Sequence, residues 1–355
     1  MDELSNVIWE FFREMEIFDL HYEARYGNVA KVETLLRKPD IQVNEEKKGM
    51  NGKSYTPLLL AARYGHDKVV ELLLQVDDIQ VNLARKSDGF TPLCMAAGYG
   101  HLKVVEKILQ SNEVDLNKTV NKSTPLMFAA TWGHTKIVEV LLERNDISPA
   151  INKGCCCKCT PLYVAAQNGF EKIVLQLLGR NDTNVNQTCI MGSTALFIAA
   201  HHGHTKVVSH LLRRRDILVN KPWNVTGETP LFTATKEGHT SVVELLLGHK
   251  DIQVNKPNKE GINPLMNAHE KFNLELVLIL MGKVTKPTYE TSICLVCLES
   301  RPNVVLIPCG HQNLCNLCHI GLEARLGFTQ ICLQKTTYTI GLCTFPLISL
   351  NTLHI

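Results

Sequence analysis

The chain has 355 residues, with 37 Lys and Arg against 35 Asp and Glu, for a formal charge of +2. A balance this even builds no large field, so neither nucleic acid nor a membrane surface is an expected partner. The start, Met1-Asp2-Glu3-Leu4, has no basic and no apolar leader region and does not read as a secretory signal. Together with 13 Cys it points to a reducing compartment, so a cytoplasmic location is expected, with the nucleus left open.

In chain order, the first expected element is an amphipathic helix over 1–15, marked by Leu4, Val7, Ile8, Phe11 and Met15. Its expected role is to cap the apolar end of a repeat array that begins at residue 16. In that array a Thr-Pro-Leu-like tripeptide returns at Thr56, Thr91, Thr124, Thr160, Thr194, Thr229 and Asn263, in steps of 35, 33, 36, 34, 35 and 34 residues. Such a period means stacked supersecondary units rather than one globular core. Thr or Asn caps a helix, and Pro, in all units but the one at Thr194, takes the first helical position. Small pairs come next (Ala61-Ala62, Ala96-Ala97, Ala129-Ala130, Ala165-Ala166, Ala199-Ala200), letting helices approach closely.

A Gly then closes each first helix: Gly65, Gly100, Gly133, Gly169, Gly203 and Gly238. Second helices carry aliphatic stripes, such as Val69-Val70 with Leu72-Leu73, that should be mostly buried. Each unit closes on an Asn (Asn44, Asn82, Asn117, Asn152, Asn186, Asn220, Asn255), succeeded by about ten turn-forming residues that are expected as hairpin fingers. The basic run Arg213-Arg214-Arg215 falls at a second helix's end, where cations suit the macrodipole.

This grammar resembles the ankyrin repeat over residues 16–283, in eight units of which the first (16–44) and last (263–283) are degenerate. The expected fold is therefore mainly α, an ankyrin solenoid presenting a binding surface. The family often places His after Thr-Pro-Leu; here Leu59, Cys94, Met127, Tyr163, Phe197, Phe232 and Met266 stand there. A His-mediated bond between units is accordingly not expected. Asn-Asp or Asp-Asp after several second helices should supply a left-handed turn where the family commonly has Gly-Ala. By the resemblance, the residue before each inter-helix Gly lines the concave face. Tyr26, Tyr64, Tyr99 and Trp132 occupy it in the first four units, and Asn168, His202 and Glu237 in the next three. Four aromatics, one per unit, are expected to hold a protein partner or substrate on that face.

The finger before Thr160 holds Cys155-Cys156-Cys157-Lys158-Cys159. Adjacent Cys do not easily converge on one ion, so this run reads as a loop rather than a metal site. After a linker over 284–293 comes Cys294-x2-Cys297-x11-Cys309-x-His311-x3-Cys315-x2-Cys318, then Cys332. Cys-x2-Cys delivers two ligands from one turn and suits tetrahedral zinc; the count fits a two-zinc site.

The segment 294–335 resembles a RING finger, most closely the short RINGs of inhibitor-of-apoptosis and mind bomb ubiquitin ligases, a small α+β zinc module. The resemblance implies one zinc on Cys294, Cys297, Cys315 and Cys318. It implies a second on Cys309, His311, Cys332 and a ligand whose place is taken by Lys335; Cys343, His319 and His354 are the substitutes that spacing offers. It also implies that Val296 contacts a ubiquitin-conjugating enzyme. No nucleophile–base motif marks a conventional catalytic residue. The expected function is a RING-type ubiquitin ligase with substrate on the ankyrin array, the alternative a non-enzymatic ankyrin adapter with a degenerate zinc module. Residues 336–355 contain no Asp, Glu, Lys or Arg and match no RING tail. Pro346 and Asn351 interrupt any apolar anchor, and an altered transcript end or shifted frame fits the segment better.

Overall fold

The computed structural model describes residues 19–48, 52–120 and 122–283, and the strands at 304–308, 329–333 and 340–343. The chain divides into two units, Met1–Lys283 and Val284–Ile355. The expected capping helix over 1–15 and the linker over 284–293 lie outside the described residues.

The first unit is a stack of eight helix pairs. They are α1 (Leu20–Tyr26) with α2 (Val29–Leu36), α3 (Pro57–Tyr64) with α4 (Asp67–Leu74), and α5 (Pro92–Tyr99) with α6 (Leu102–Ile108). Next come α7 (Pro125–Thr131) with α8 (Thr135–Leu142), trailed by a short α9 (Ser148–Ile151), then α10 (Pro161–Gln167) with α11 (Glu171–Leu178). The last three are α12 (Ala195–His201) with α13 (Thr205–Leu212), α14 (Pro230–Glu237) with α15 (Thr240–Leu247), and α16 (Pro264–Glu270) with α17 (Leu274–Lys283). First helices pack on the first helices of adjacent repeats, and second on second. None of the described helices is long and apolar enough to cross a membrane.

The caps form as the residues dictate. The Thr56 hydroxyl accepts from Leu59 N, and Thr91, Thr124, Thr160, Thr194, Thr229 and the Asn263 amide oxygen do the same in their repeats. Each such cap contributes about 1 kcal/mol. In the first repeat Asp19 takes this role, accepting from Tyr22 N. The Ala pairs are fully buried, as are Val69, Val70 and Leu73 on α4 and Val242, Val243 and Leu246 on α15. The fingers close as hairpins. β1 (Lys47–Lys48) pairs antiparallel with β2 (Ser54–Tyr55), and later fingers are closed by tight-turn bonds such as Cys189 N to Ser193 O with Gly192 N to Cys189 O, and Trp223 N to Glu228 O with Gly227 N to Trp223 O.

A His-mediated bond between repeats does form, contrary to expectation, and comes from the His after the inter-helix Gly. His66 Nε2 faces Arg25 O at 2.8 Å, His101 faces Arg63 O at 2.8 Å and His134 faces Gly98 O at 3.1 Å. His204 and His239 reach Gln167 O and His201 O at 2.9 and 3.0 Å. The ring nitrogen facing a carbonyl must carry the proton. Each ring lies on the preceding repeat's Gly: at Gly100 (φ 83°) an added Cβ would sit 2.6 Å from the His134 ring. That Gly is required both for its backbone and for the space. Repeat 5 has Phe170 instead, which packs on Gly133 without a bond of this kind.

The closing Asn residues form a second ladder. Asn44 Nδ2 donates to Asp78 O at 2.7 Å while its Oδ1 accepts from Gln80 N at 2.9 Å. Asn82, Asn152, Asn186 and Asn220 make the same pair of bonds to the next repeat, and Asn117 makes the donating one. Arg144, Arg180 and Arg214 add a third tie, each donating to a backbone carbonyl of the preceding repeat (Leu109, Leu142, Leu178) and pairing with Asp146, Asp182 or Asp216. Arg214 of the basic run is thus structural. The expected left-handed Asn after second helices is absent: the described non-Gly residues with positive φ are Lys122, Lys158 and Phe272. The turns close instead through short-range bonds such as Arg180 N to Leu177 O, which the right-handed backbone satisfies.

In the second unit, β3 (Val304–Pro308) runs parallel to β4 (Thr329–Leu333), which pairs antiparallel with β5 (Ile340–Cys343).

Candidate protein-interaction surface and zinc module

The sequence Ala-Arg-Tyr-Gly occurs at 24–27 and again at 62–65, at the end of α1 and of α3. Because the Gly ends the helix in a left-handed turn (φ 75° and 81°), the Tyr before it projects from the last turn. Tyr26 is 55 % exposed, Tyr64 41 %, Tyr99 51 % and Trp132 65 %. Large aromatics left this open, one per repeat over four successive repeats, form an apolar strip of the kind that marks interaction sites.

Two arginines that the repeat grammar alone does not single out hold the strip together. The Arg25 guanidinium lies over the Tyr26 ring at 5.7 Å and over Tyr64 of the next repeat at 5.4 Å. Arg63 repeats the pattern, 5.7 Å from Tyr64 and 5.1 Å from Tyr99, and donates to the Tyr55 hydroxyl at 2.9 Å. Each Arg therefore bridges its own aromatic and the next, an alternation of ring and cation. The recurring Arg-Tyr pair was the signal available in the sequence. Repeats 3 and 4 carry Gly98 and Thr131 at that place, so the alternation ends with Tyr99, and Trp132 extends the row as an exposed ring.

The fingers beside the strip are stiffened by Arg85, which is buried between Tyr55 (4.5 Å) and Phe90 (5.4 Å). It makes two bonds to the Asp88 carboxylate, at 2.7 and 2.6 Å, and Lys53 reaches the same carboxylate at 3.0 Å. Burial alone raises the Asp88 carboxyl, but these two cations outweigh it and hold it below the usual carboxylate range. At the matching positions of repeats 5 to 7 the surface changes character. His201 and His202 rings lie 4.9 Å apart and His202 and His204 5.9 Å. Burial, then the neighbouring imidazoles, lower the His202 pKa.

Of the expected zinc ligands, Cys294, Cys297, Cys309, His311, Cys315 and Cys318 lie outside the described residues, as do Val296, His319 and His354. Cys332 falls within β4, in register with Ile307 of β3 and Gly341 of β5. Cys343, at the end of β5, is in register with Gln330, two residues from Cys332. The donor set itself suits zinc: six Cys and one His in ligand spacing, with Lys335 at the eighth place. Lys is cationic at neutral pH and is no ligand there.

A family model described as ankyrin repeats, three copies, matches overlapping stretches at residues 20–120, 77–153, 107–189, 149–222 and 196–291. A second, described as a zinc finger of C3HC4 type (RING finger), matches residues 290–338. Among curated proteins none matches the chain. A finger of this type implies bound zinc, and repeats of this type imply protein partners.

Proposed function

The chain belongs to the ankyrin-repeat family and carries a C3HC4-type RING zinc finger, and on that premise we propose that it is a ubiquitin ligase of the RING type. In this reading a protein substrate docks on the strip of Tyr26, Tyr64, Tyr99 and Trp132 with Arg25 and Arg63. The zinc module, through Val296, holds a ubiquitin-loaded conjugating enzyme. No nucleophile is asked of this chain; the rate gain comes from orienting the thioester against a substrate lysine. The observation that carries the reading is the exposed ring-and-cation strip on a chain that also has a RING finger. Rigid aromatics with interleaved Arg are the residues that dominate protein–protein binding energy. Thiolate-bound zinc goes with a reducing compartment, so the reading includes a cytoplasmic location.

A second reading is favoured by Lys335: a finger short of its eighth ligand leaves a protein-binding adapter without transfer activity. Discharge assays separate the two. The full chain is mixed with a panel of ubiquitin-loaded conjugating enzymes. Accelerated transfer that disappears in Cys294→Ala and falls at least ten-fold in Val296→Ala supports the ligase; no acceleration with any enzyme supports the adapter. The triple variant Tyr64→Ala, Tyr99→Ala, Trp132→Ala addresses the strip. It should lose partner capture and nearly keep its thermal unfolding temperature, because the three rings are exposed at the surface rather than packed in the core. Capture of the same partners by the variant, or its unfolding, refutes the strip as the docking site.

A further inference from the structure

Adjacent Cys were not expected to converge easily, yet the thiols of the run Cys155-Cys156-Cys157 lie close together. The three Sγ atoms lie within 4.8 Å of one another. Cys156 and Cys157 Sγ are 3.7 Å apart. Four sulfurs around a tetrahedral zinc at the usual bond length are about 3.8 Å apart, so the thiols need move only slightly to share an ion. Among the described residues this is the one group of three or more His, Cys, Asp or Glu side chains so gathered, and it holds sulfur alone.

The backbone explains the gathering. Lys158 N donates to Cys155 O at 2.8 Å and Cys155 N to Cys159 O at 3.0 Å, closing a tight loop. Lys158 takes a left-handed conformation (φ 60°) to permit it. Gly154 is packed so closely on the Lys158 backbone that an added Cβ would meet its atoms at 2.6–2.7 Å. The loop is also tied to the next finger, since Ile190 N donates to Cys157 O at 2.8 Å. Cys156 and Cys157 are exposed and Cys155 and Cys159 half-buried, so an ion can enter from solvent.

We propose that Cys155, Cys156 and Cys157 form a further metal site, separate from the C-terminal finger, for a soft thiophilic d10 cation of the Zn(II) or Cu(I) class. All-sulfur donor sets select such ions over harder ones. Thiol ligands give up their protons when a cation enters, so binding should strengthen as pH rises.

The test uses the full chain under reducing, anaerobic conditions, loaded in separate arms with Zn(II) alone and with Cu(I) alone, then desalted. The variants are Cys155→Ser with Cys156→Ser and Cys157→Ser together, Cys156→Ser alone, and Gly154→Val, which keeps every thiol but breaks the loop. Each is compared with the unaltered chain, so metal on the C-terminal finger cancels. The triple variant should hold one equivalent less in at least one arm, with an unchanged helical melt. Cys156→Ser and Gly154→Val should each bind that equivalent at least ten-fold more weakly. Equal metal content in the triple variant and the unaltered chain in both arms overturns the site. So does undiminished binding by Gly154→Val, which would mean that the thiols act without the geometry.

Discussion

Removal of one rung of the Asn ladder gives a measurable test of how the repeats are joined. Asn186 Nδ2 donates to Asp216 O at 2.6 Å and its Oδ1 accepts from Leu218 N at 2.8 Å, both in the following repeat. A hydrogen bond contributes about 0.5–1.5 kcal/mol net. Two bonds on an exposed loop, where water can replace part of what is lost, put Asn186→Ala at about 1–2 kcal/mol. Asn255 is the control. It closes repeat 7 in the same sequence context and makes no side-chain bond among the described residues, so Asn255→Ala should change stability by less than about 0.5 kcal/mol. Urea unfolding of both variants gives the difference in free energy, and amide hydrogen exchange at Leu218 gives a local reading, since that N–H loses its acceptor. If the two variants are equally stable, or if Leu218 exchanges at the unaltered rate in Asn186→Ala, the ladder does not couple the repeats.

The segment 1–285 made alone should be soluble, helical and cooperative in urea, because each repeat buries its stripe against its neighbours; aggregation would mean that α17 needs a further cover. In the Cys155→Ser, Cys156→Ser, Cys157→Ser background, elemental analysis should find close to one tightly held zinc, released by Cys294→Ala. Two chelator-resistant ions there would show the second site of the finger to be complete and Lys335 to be bypassed. Burial, the largest influence, lowers the His21 pKa despite the Glu45 carbonyl 2.7 Å from its Nε2. The folded chain therefore binds this proton less readily than the unfolded one, and stability falls as pH drops through the ordinary His range near about 6.5. Thermal melts between pH 5 and 8 should show the slope, and His21→Gln should flatten it; an unchanged slope removes His21 as the cause.

The repeats were legible because their signals are local. A Thr cap, a Pro at the first position and a closing Gly act within four or five residues, and all of them form the predicted contacts. The ties that cross between repeats were not legible. The partners of His66 to His239 are backbone carbonyls 36–41 residues earlier, with nothing in their side chains to announce them. Arg25 and Arg63 could have been found from the repeated Arg-Tyr pair, but their second ring lies a full repeat away. The gathering of the Cys155 thiols was not legible because spacing along the chain suggests that adjacent thiols diverge, whereas the fold of the loop depends on Gly154 and on the conformation of Lys158.

The place of Phe170 has a mechanical consequence. A stack held by equivalent ties shares strain evenly, whereas the joints here differ in the ties they carry. Between repeats 4 and 5, as between repeats 7 and 8, the imidazole bond is missing among the described residues, and at the first of these joints an apolar ring rests on Gly133 in its stead. Trp132 is the last aromatic before that joint, and the Cys155 loop leads directly into repeat 5. The polar ties that remain at this joint are the Asn152 pair and Arg180. A break at this joint would leave the whole aromatic strip intact on the first four repeats, since Trp132 precedes it and Phe170 follows it.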